Sequence, residues 1–298
     1  MILTLLLACP SDTTTTTSDT ATAAVTDSVP DSSTPTDTAS PPAYTGLSSE
    51  GARTCVLTPT STLACFDVTD AAWSRSQDTP AGLFSHVSAG GCGVQGDDVT
   101  CWDPDQHGTS IVPDSDLVTV ERGDALACGH DDIGALDCWG ETRVLTGLFY
   151  EQRVEASLMV SGKSVCGLLP AGVPLCDGAL AGTTPELSDL VQVDVGGAAC
   201  GLGADGAVTC WGPGTPFTVP DGTGFVDVAV GESHVCVLDD AGVVSCSGNG
   251  ALAQVPAELP VMVDLDAGTT QTCGLSVAGA LVCWFEGADG VEVVTEMP

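Results

Sequence analysis

From Leu47 onward the chain is built of short apolar runs punctuated by glycine and aspartate, with no helical stripe. Leu117-Val118-Thr119-Val120, Leu190-Val191-Gln192-Val193, Phe225-Val226-Asp227-Val228 and Met262-Val263-Asp264-Leu265 alternate and are rich in β-branched residues. That is the pattern of half-buried strands. Each run leads to a glycine, a cysteine, a second apolar pair around a turn, and another cysteine, often followed by tryptophan. Cys200 to Trp211, CGLGADGAVTCW, is the clearest copy. The segment between cysteines predicts a β-hairpin. Ala204-Asp205-Gly206 suits a three-residue turn, and Gly96-Asp97 a two-residue one.

Seven such pairs occur: Cys55/Cys65, Cys92/Cys101, Cys128/Cys138, Cys166/Cys176, Cys200/Cys210, Cys236/Cys246 and Cys273/Cys283. The partners are ten residues apart, or nine for Cys92/Cys101, and the first cysteines recur every 34–38 residues. A period of this size marks a repeat architecture. Both offsets place the two cysteines opposite one another on facing strands, where a modest pinch closes a disulfide. Zinc sites favour closer spacing and more histidine than His86, His107, His130 and His234 provide. Seven units of three or four short strands bury both faces of each small sheet when arranged radially. The expected fold is therefore all-β: a seven-bladed β-propeller with one intra-blade disulfide per hairpin. It spans 47–298, with Val291-Glu292-Val293-Val294 expected to complete the ring beside the first blade. A linear solenoid is the alternative, disfavoured because polar capping repeats are missing.

Composition changes the picture outside the repeat. Residues 9–46 are mostly Thr, Ser, Asp, Ala and Pro, too polar to bury a core, which predicts a disordered tether. Residues 1–8 are apolar, and Leu6-Leu7-Ala8-Cys9 resembles a bacterial lipobox, in which Cys9 is lipidated after cleavage. The usual positively charged leader is missing, which suggests a signal shortened at its start. Fourteen regularly paired cysteines point to an oxidising compartment, and Cys9 would be the one left over. Together these features predict a protein of the bacterial cell envelope, on the outer membrane or cell surface, held by a lipid anchor.

Charge narrows the partners. Forty Asp and Glu stand against six Lys and Arg, giving a net charge of −34. Nucleic acid would be repelled; a protein or glycan partner remains open, and the chain is expected to be monomeric. Four predicted hairpin tips are acidic: Asp97-Asp98, Asp131-Asp132, Asp205 and Asp239-Asp240. Tips one, four and seven (Thr58-Pro59-Thr60, Leu169-Pro170-Ala171 and Ser276-Val277-Ala278) are neutral. In a propeller these tips share one end, so a broken acidic arc is expected there. The plain reading is that aspartate and glycine make good turns. The functional one is an arc that steers a basic partner or collects Ca²⁺ weakly. No D-x-D-x-D-G loop is present, so no tight metal site and no cofactor are expected.

Trp102, Trp139, Trp211 and Trp284, with Phe66 at the same place, are expected to pack between blades, and His234 to be structural. Trp73 falls in the predicted loop from Asp70 to Phe84. With Phe149-Tyr150 it is a candidate exposed anchor, loop packing being the plainer account. No catalytic motif is present.

The units resemble the repeats of the regulator of chromosome condensation family. The resemblance rests on Val226-Asp227-Val228-Ala229-Val230-Gly231, His234-Val235-Cys236-Val237-Leu238 and Gly206-Ala207-Val208-Thr209-Cys210-Trp211-Gly212. It covers all seven units and implies a seven-bladed propeller. The family's GQLG segment is missing, only one unit has the pre-cysteine histidine, and unit four carries Asp177 in place of tryptophan. Nuclear exchange-factor activity therefore has no residues to be carried onto. Secreted bacterial members of similar type look like binding modules, one class being inhibitors of β-lactamases. The expected function is a non-catalytic protein- or glycan-binding module at the envelope. Its rivals are a structural envelope protein without a defined partner and a polysaccharide hydrolase or lyase working in the central channel.

Overall fold

The computed structural model describes residues 43–102, 112–113, 116–145, 152–213, 218–288 and 290–298. Cys9, His107 and Phe149-Tyr150 lie outside them. The described residues form seven antiparallel sheets. Blade 1 is β1 (Thr45–Glu50), β2 (Arg53–Leu57), β3 (Leu63–Thr69) and β4 (Ala72–Arg75). Blade 2 is β5 (His86–Ser88), β6 (Cys92–Gln95) and β7 (Asp98–Cys101); blade 3 is β8 (Glu121–Arg122), β9 (Leu126–His130) and β10 (Leu136–Gly140). Blade 4 is β11 (Ala156–Ser161), β12 (Ser164–Leu169) and β13 (Val173–Gly178); blade 5 is β14 (Leu190–Val195), β15 (Ala199–Gly203) and β16 (Val208–Trp211). Blade 6 is β17 (Phe225–Val230), β18 (His234–Asp239) and β19 (Val244–Gly248). Blade 7 is β20 (Met262–Ala267), β21 (Gln271–Ser276), β22 (Leu281–Gly287) and β23 (Gly290–Glu296). The first strand of each blade touches the first strand of the next, and β20 touches β1, so the ring is closed around an axis.

Every cysteine pair is bonded to its own hairpin mate, as the spacing predicts. Cys55 is joined to Cys65, Cys92 to Cys101, Cys128 to Cys138 and Cys166 to Cys176. Cys200 is joined to Cys210, Cys236 to Cys246 and Cys273 to Cys283. The partners face one another directly across the second and third strands of each blade, with Cα atoms 4.0–4.1 Å apart. The turns follow the spacing too. Gln95 pairs with Asp98 across Gly96-Asp97, and Leu202 pairs with Val208 around Ala204-Asp205-Gly206. Gly96 and Gly206 take the positive φ that each turn needs, +66° and +77°.

The terminal run completes the ring beside the first blade as expected, Val294 packing with Tyr44, Val56 and Phe66. β23, which holds Val291 to Val294, pairs with β22 as the outermost strand of blade 7, and among the described residues no sheet mixes the two chain ends. Blades 7 and 1 are instead joined by side chains and loop backbone. The Tyr44 amide donates to Gly279 O at 3.0 Å, and its hydroxyl to Met297 O at 2.9 Å. Tyr44 and β1 also start the fold slightly ahead of Leu47.

Apolar packing divides into seven clusters, one per blade interface. Trp211 packs with Leu190 and the Cys166–Cys176 bridge of the preceding blade, and Trp284 packs with Leu238 and Leu252. The interface of blades 3 and 4, where Asp177 replaces tryptophan, is filled by Leu126, Leu158, Val160 and Leu175. The glycine after each leading run allows neighbouring blades to approach. A Cβ at Gly268 would meet Gly51 O at 2.5 Å, and one at Gly196 would meet Val230 O at 2.3 Å.

Two layers of polar contacts then stitch blade to blade. Around the axis, N–H groups on the free edge of the first strands need partners, because each such strand has a ladder on one side only. The preceding blade supplies them. Ser48 Oγ accepts from Ala89 N, Ser88 Oγ from Arg122 N, and Ser157 Oγ from Val193 N. Asp194 Oδ2 accepts from Val230 N at 2.6 Å, Asp227 Oδ2 from Leu265 N at 2.7 Å, and Asp266 Oδ2 from Ser49 N at 2.7 Å. Further out, His234 Nε2 meets Thr272 Oγ1 of the next blade at 2.7 Å, so its structural role holds. Gln271, two residues before Cys273 as His234 is before Cys236, donates to Arg53 O and Thr54 Oγ1.

Asp194 is 4% exposed and also accepts from Val195 N. Asp194→Ala should therefore orphan two buried donors and destabilise the fold by about 2–4 kcal/mol. Asp194→Asn, which keeps an acceptor, should cost less. Urea unfolding with the disulfides intact measures both. An alanine variant as stable as the parent would contradict the stitching account.

Candidate functional site

The two ends of the ring differ. Hairpin tips and the beginnings of the first strands lie at one end, here the tip end; the glycine turns after the first strands lie at the other. The expected acidic tips are all at the tip end. Asp97, Asp98, Asp132, Asp205 and Asp240 are exposed there, whereas Asp131 and Asp239 are half-buried. Asp131 Oδ1 accepts from Ile133 N and Ala135 N, Asp239 Oδ1 from Ala241 N and Val243 N, and Asp205 Oδ1 from Ala207 N. These three carboxylates shape their own turns, as short acidic side chains do.

Two acids missed in the sequence fill gaps in the arc. Asp189 donates its amide to Ala171 O in tip four and accepts at its carbonyl from Ala204 N in tip five. Glu155 joins Asp131, Asp132 and Ile133 around a cleft of about 410 Å³ between blades 3 and 4. Both precede a first strand, so neither belongs to a predicted hairpin, and only the ring brings them to the tips. The arc runs from tip two to tip six and stops at neutral tips seven and one.

Trp73 is not a loop residue. It lies on β4, paired with Val68, and its ring stacks on Phe66 at 5.2 Å and Phe285 at 6.0 Å. Its Nε1 donates to Glu296 at 3.2 Å. The aromatic face is thus committed to the joint between blades 1 and 7, which removes Trp73 as an exposed anchor.

The axis holds a second set of carboxylates. Burial pushes Asp194 and Asp264 up to about 7 and Glu50 up to about 8, and it raises Asp227 and Asp266 as well. Backbone N–H donors oppose these shifts without cancelling them. Asp264 hydrogen-bonds the Asp227 carboxyl, so loss of the proton would set two charges together. Glu50 reaches from blade 1 to Gly162 N of blade 4 at 3.1 Å, spanning the axis at the glycine-turn end. Among the described residues no three His, Cys, Asp or Glu side chains converge as a metal-ion site. A cleft of about 520 Å³ opens at the glycine-turn end, lined by Asp70, Ser233, Asn249, Thr269, Thr270 and Glu286.

A carboxyl group whose folded pKa lies above its unfolded value keeps a proton that the unfolded chain releases. Stability then falls as pH rises between the two values. Asp194 and Asp264 near 7 and Glu50 near 8 lower stability as pH rises. Buried His234, pushed down to about 4, opposes them only below its ordinary value. On balance the fold should lose stability from about pH 5 toward pH 8. A fall in Tm on the order of 5 °C is expected across that range. Asp264→Asn should flatten it. Calorimetry showing a Tm that rises over the same range would contradict these assignments.

No protein-family model and no curated protein matches the sequence. Solved structures do match. The CRINKLY WD40 ectodomain of the Arabidopsis thaliana receptor kinase ACR4 is 21% identical, with TM-score 0.66, covering 83% of this chain and 97% of that one. The ectodomain of the Physcomitrella patens receptor kinase CR4 is 22% identical, with TM-score 0.63, covering 83% and 74%. Yeast RCC1 (Prp20), solved bound to Kap60, is 12% identical, with TM-score 0.51, covering 82% and 70%. At these identities the likeness extends to the propeller fold, including regulator-of-chromosome-condensation-type propellers, and stops there.

Proposed function

We propose that this chain is an exported, non-catalytic propeller that binds a protein partner outside the cytoplasm through its tip end. The observation that carries the reading is the contrast between the two carboxylate sets. The axial acids are bound to backbone N–H groups that the ring needs, so using them for acid/base chemistry would unstitch it. The tip acids Asp97, Asp98, Asp132 and Asp240 are exposed on the arc. Rigid scaffolds that present loops and turns are a common basis for recognition. Seven disulfides favour an oxidising compartment. Among the solved neighbours, receptor-kinase ectodomains and a protein-bound RCC1 are in keeping with a binding role.

The same proposal places a lipid on Cys9 and makes residues 10–46 the tether of an envelope-facing head. Weak Ca²⁺ binding belongs to it only as a modulator of the exposed tip acids. A glycan is the second reading, favoured by the hydroxyl, carboxamide and carboxylate lining of the glycine-turn cleft.

Cross-linking mass spectrometry of the full chain in a bacterial envelope extract tests the partner. Cross-links from tip-end residues to one protein are expected. Cross-links confined to the glycine-turn end, or release of a polysaccharide product that is lost in Asp264→Asn, would overturn the reading. Intact mass of membrane-extracted protein should show lipid on Cys9 after loss of residues 1–8; an unmodified Cys9 would remove the anchor.

A further inference from the structure

Exposed aliphatic side chains recur around the ring, with Leu83, Val118, Ile133 and Val173 in blades 2–4, and are most numerous in blades 5–7. In β14, β17 and β20 the register against the second strand slips by one residue, between Leu190/Gln192, Phe225/Asp227 and Met262/Asp264. The extra residues, Val191, Val226 and Val263, fall outside the ladder and are 54%, 53% and 57% exposed. Bulges re-aim side chains in this way. The same device in β11 presents Ser157, whose Oγ donates to Val193 O. A polar residue is therefore compatible with the bulge, yet three consecutive blades carry valine.

The collar is continuous with the neighbouring tips. Val261 O accepts from Val277 N at 3.0 Å, and Met262 N donates to Gly242 O at 3.0 Å, bringing tips six and seven against the start of β20. Val243, Val261 and Val277 are 56%, 48% and 63% exposed. Six valines thus lie at the tip end of blades 5–7. Isolated exposed apolar residues are ordinary, but a clustered set marks a contact surface.

Charge says what covers it. After Lys163 the chain contains seventeen Asp and Glu and no Lys or Arg. Blades 5–7 therefore have no Lys or Arg side chain, and Asp189, Asp205, Asp239 and Asp240 border the valines. A second copy would bring like charges together. We infer that the tip end of blades 5–7 docks a basic protein segment. Its aliphatic or aromatic side chains seat on the bulged valines, and its Lys or Arg side chains face the surrounding aspartates. The inference rests on the binding-module reading and gives its partner a chemistry.

The probe is a fluorescein-labelled twelve-residue peptide of alternating Lys and Leu, beside Lys–Ser and Glu–Leu peptides of equal length. Anisotropy titrations use the full chain with its disulfides intact. Burial of even one or two valines should make Lys–Leu bind about tenfold tighter than Lys–Ser. Both should weaken between about 0.02 and 0.3 M salt, and Glu–Leu should not bind. The triple variant Val191→Ser, Val226→Ser, Val263→Ser, all at exposed positions, should abolish the Lys–Leu advantage while leaving Lys–Ser within about twofold. Asp205→Asn with Asp240→Asn should weaken both cationic peptides more than Glu232→Gln with Glu286→Gln at the other end. Equal binding of Lys–Leu and Lys–Ser, an advantage that survives the triple variant, or equal effects of the two charge pairs would overturn the inference. If the natural partner still cross-links to the tip end, the binding-module reading stands and only the partner's chemistry is wrong.

Discussion

A propeller built from small sheets has one unavoidable weakness: the free edge of each first strand faces a crowded axis that water cannot fully serve. Unpaired N–H groups there would be costly. In this chain the edge is closed by side chains from the blade before. Serine serves this role in blades 1, 2 and 4, and aspartate in blades 5, 6 and 7. Because Asp266 of the last blade holds Ser49 of the first, the same device closes the circle without a shared sheet. The disulfides lock each hairpin, and the apolar clusters fill each interface. Neither addresses the axial edge.

That solution has consequences for where chemistry is available. Placing carboxylates at the axis to accept backbone hydrogen bonds buries them, and burial raises their proton affinity. Glu50 extends across the axis to blade 4. The axial carboxylates are therefore committed to holding the ring, and the exposed acids lie at its ends. At the tip end the bulges that begin β14, β17 and β20 present valines among aspartates on a rigid ring. A surface fixed in this way loses little conformational freedom on binding.

The repeat, the hairpins, their turns and all seven cysteine pairings were legible because each depends on local spacing. Cys55 with Cys65 and Cys273 with Cys283 belong to the blades that meet at the ring's joint, yet their pairing needs nothing from the joint. The axial aspartates are visible in the sequence, but their role is not. In Val226-Asp227-Val228, alternation marks Asp227 as facing solvent, whereas ring closure gives that position to the next blade's backbone. Gln271 does not stand out beside His234 because the two share geometry and not chemistry. Trp73 reads as a loop residue in the sequence because β4 is four residues long and lacks alternation. Asp189 and Glu155 lie outside any hairpin, and only the assembled ring sets them among the tips. The valine collar depends on bulges, and nothing in Leu190-Val191-Gln192-Val193 distinguishes a bulged Val191 from a regular one.

Native-state hydrogen exchange tests the stitched axis most directly. The amides of Ser49, Val230 and Leu265 have side-chain carboxylates of the preceding blade as their acceptors. If those bonds hold the ring, the three amides exchange only through global opening, as slowly as the central-strand amides of Val235 and Val237. Rapid exchange at these positions, at rates typical of an open strand edge, would show that the ring is held by something else.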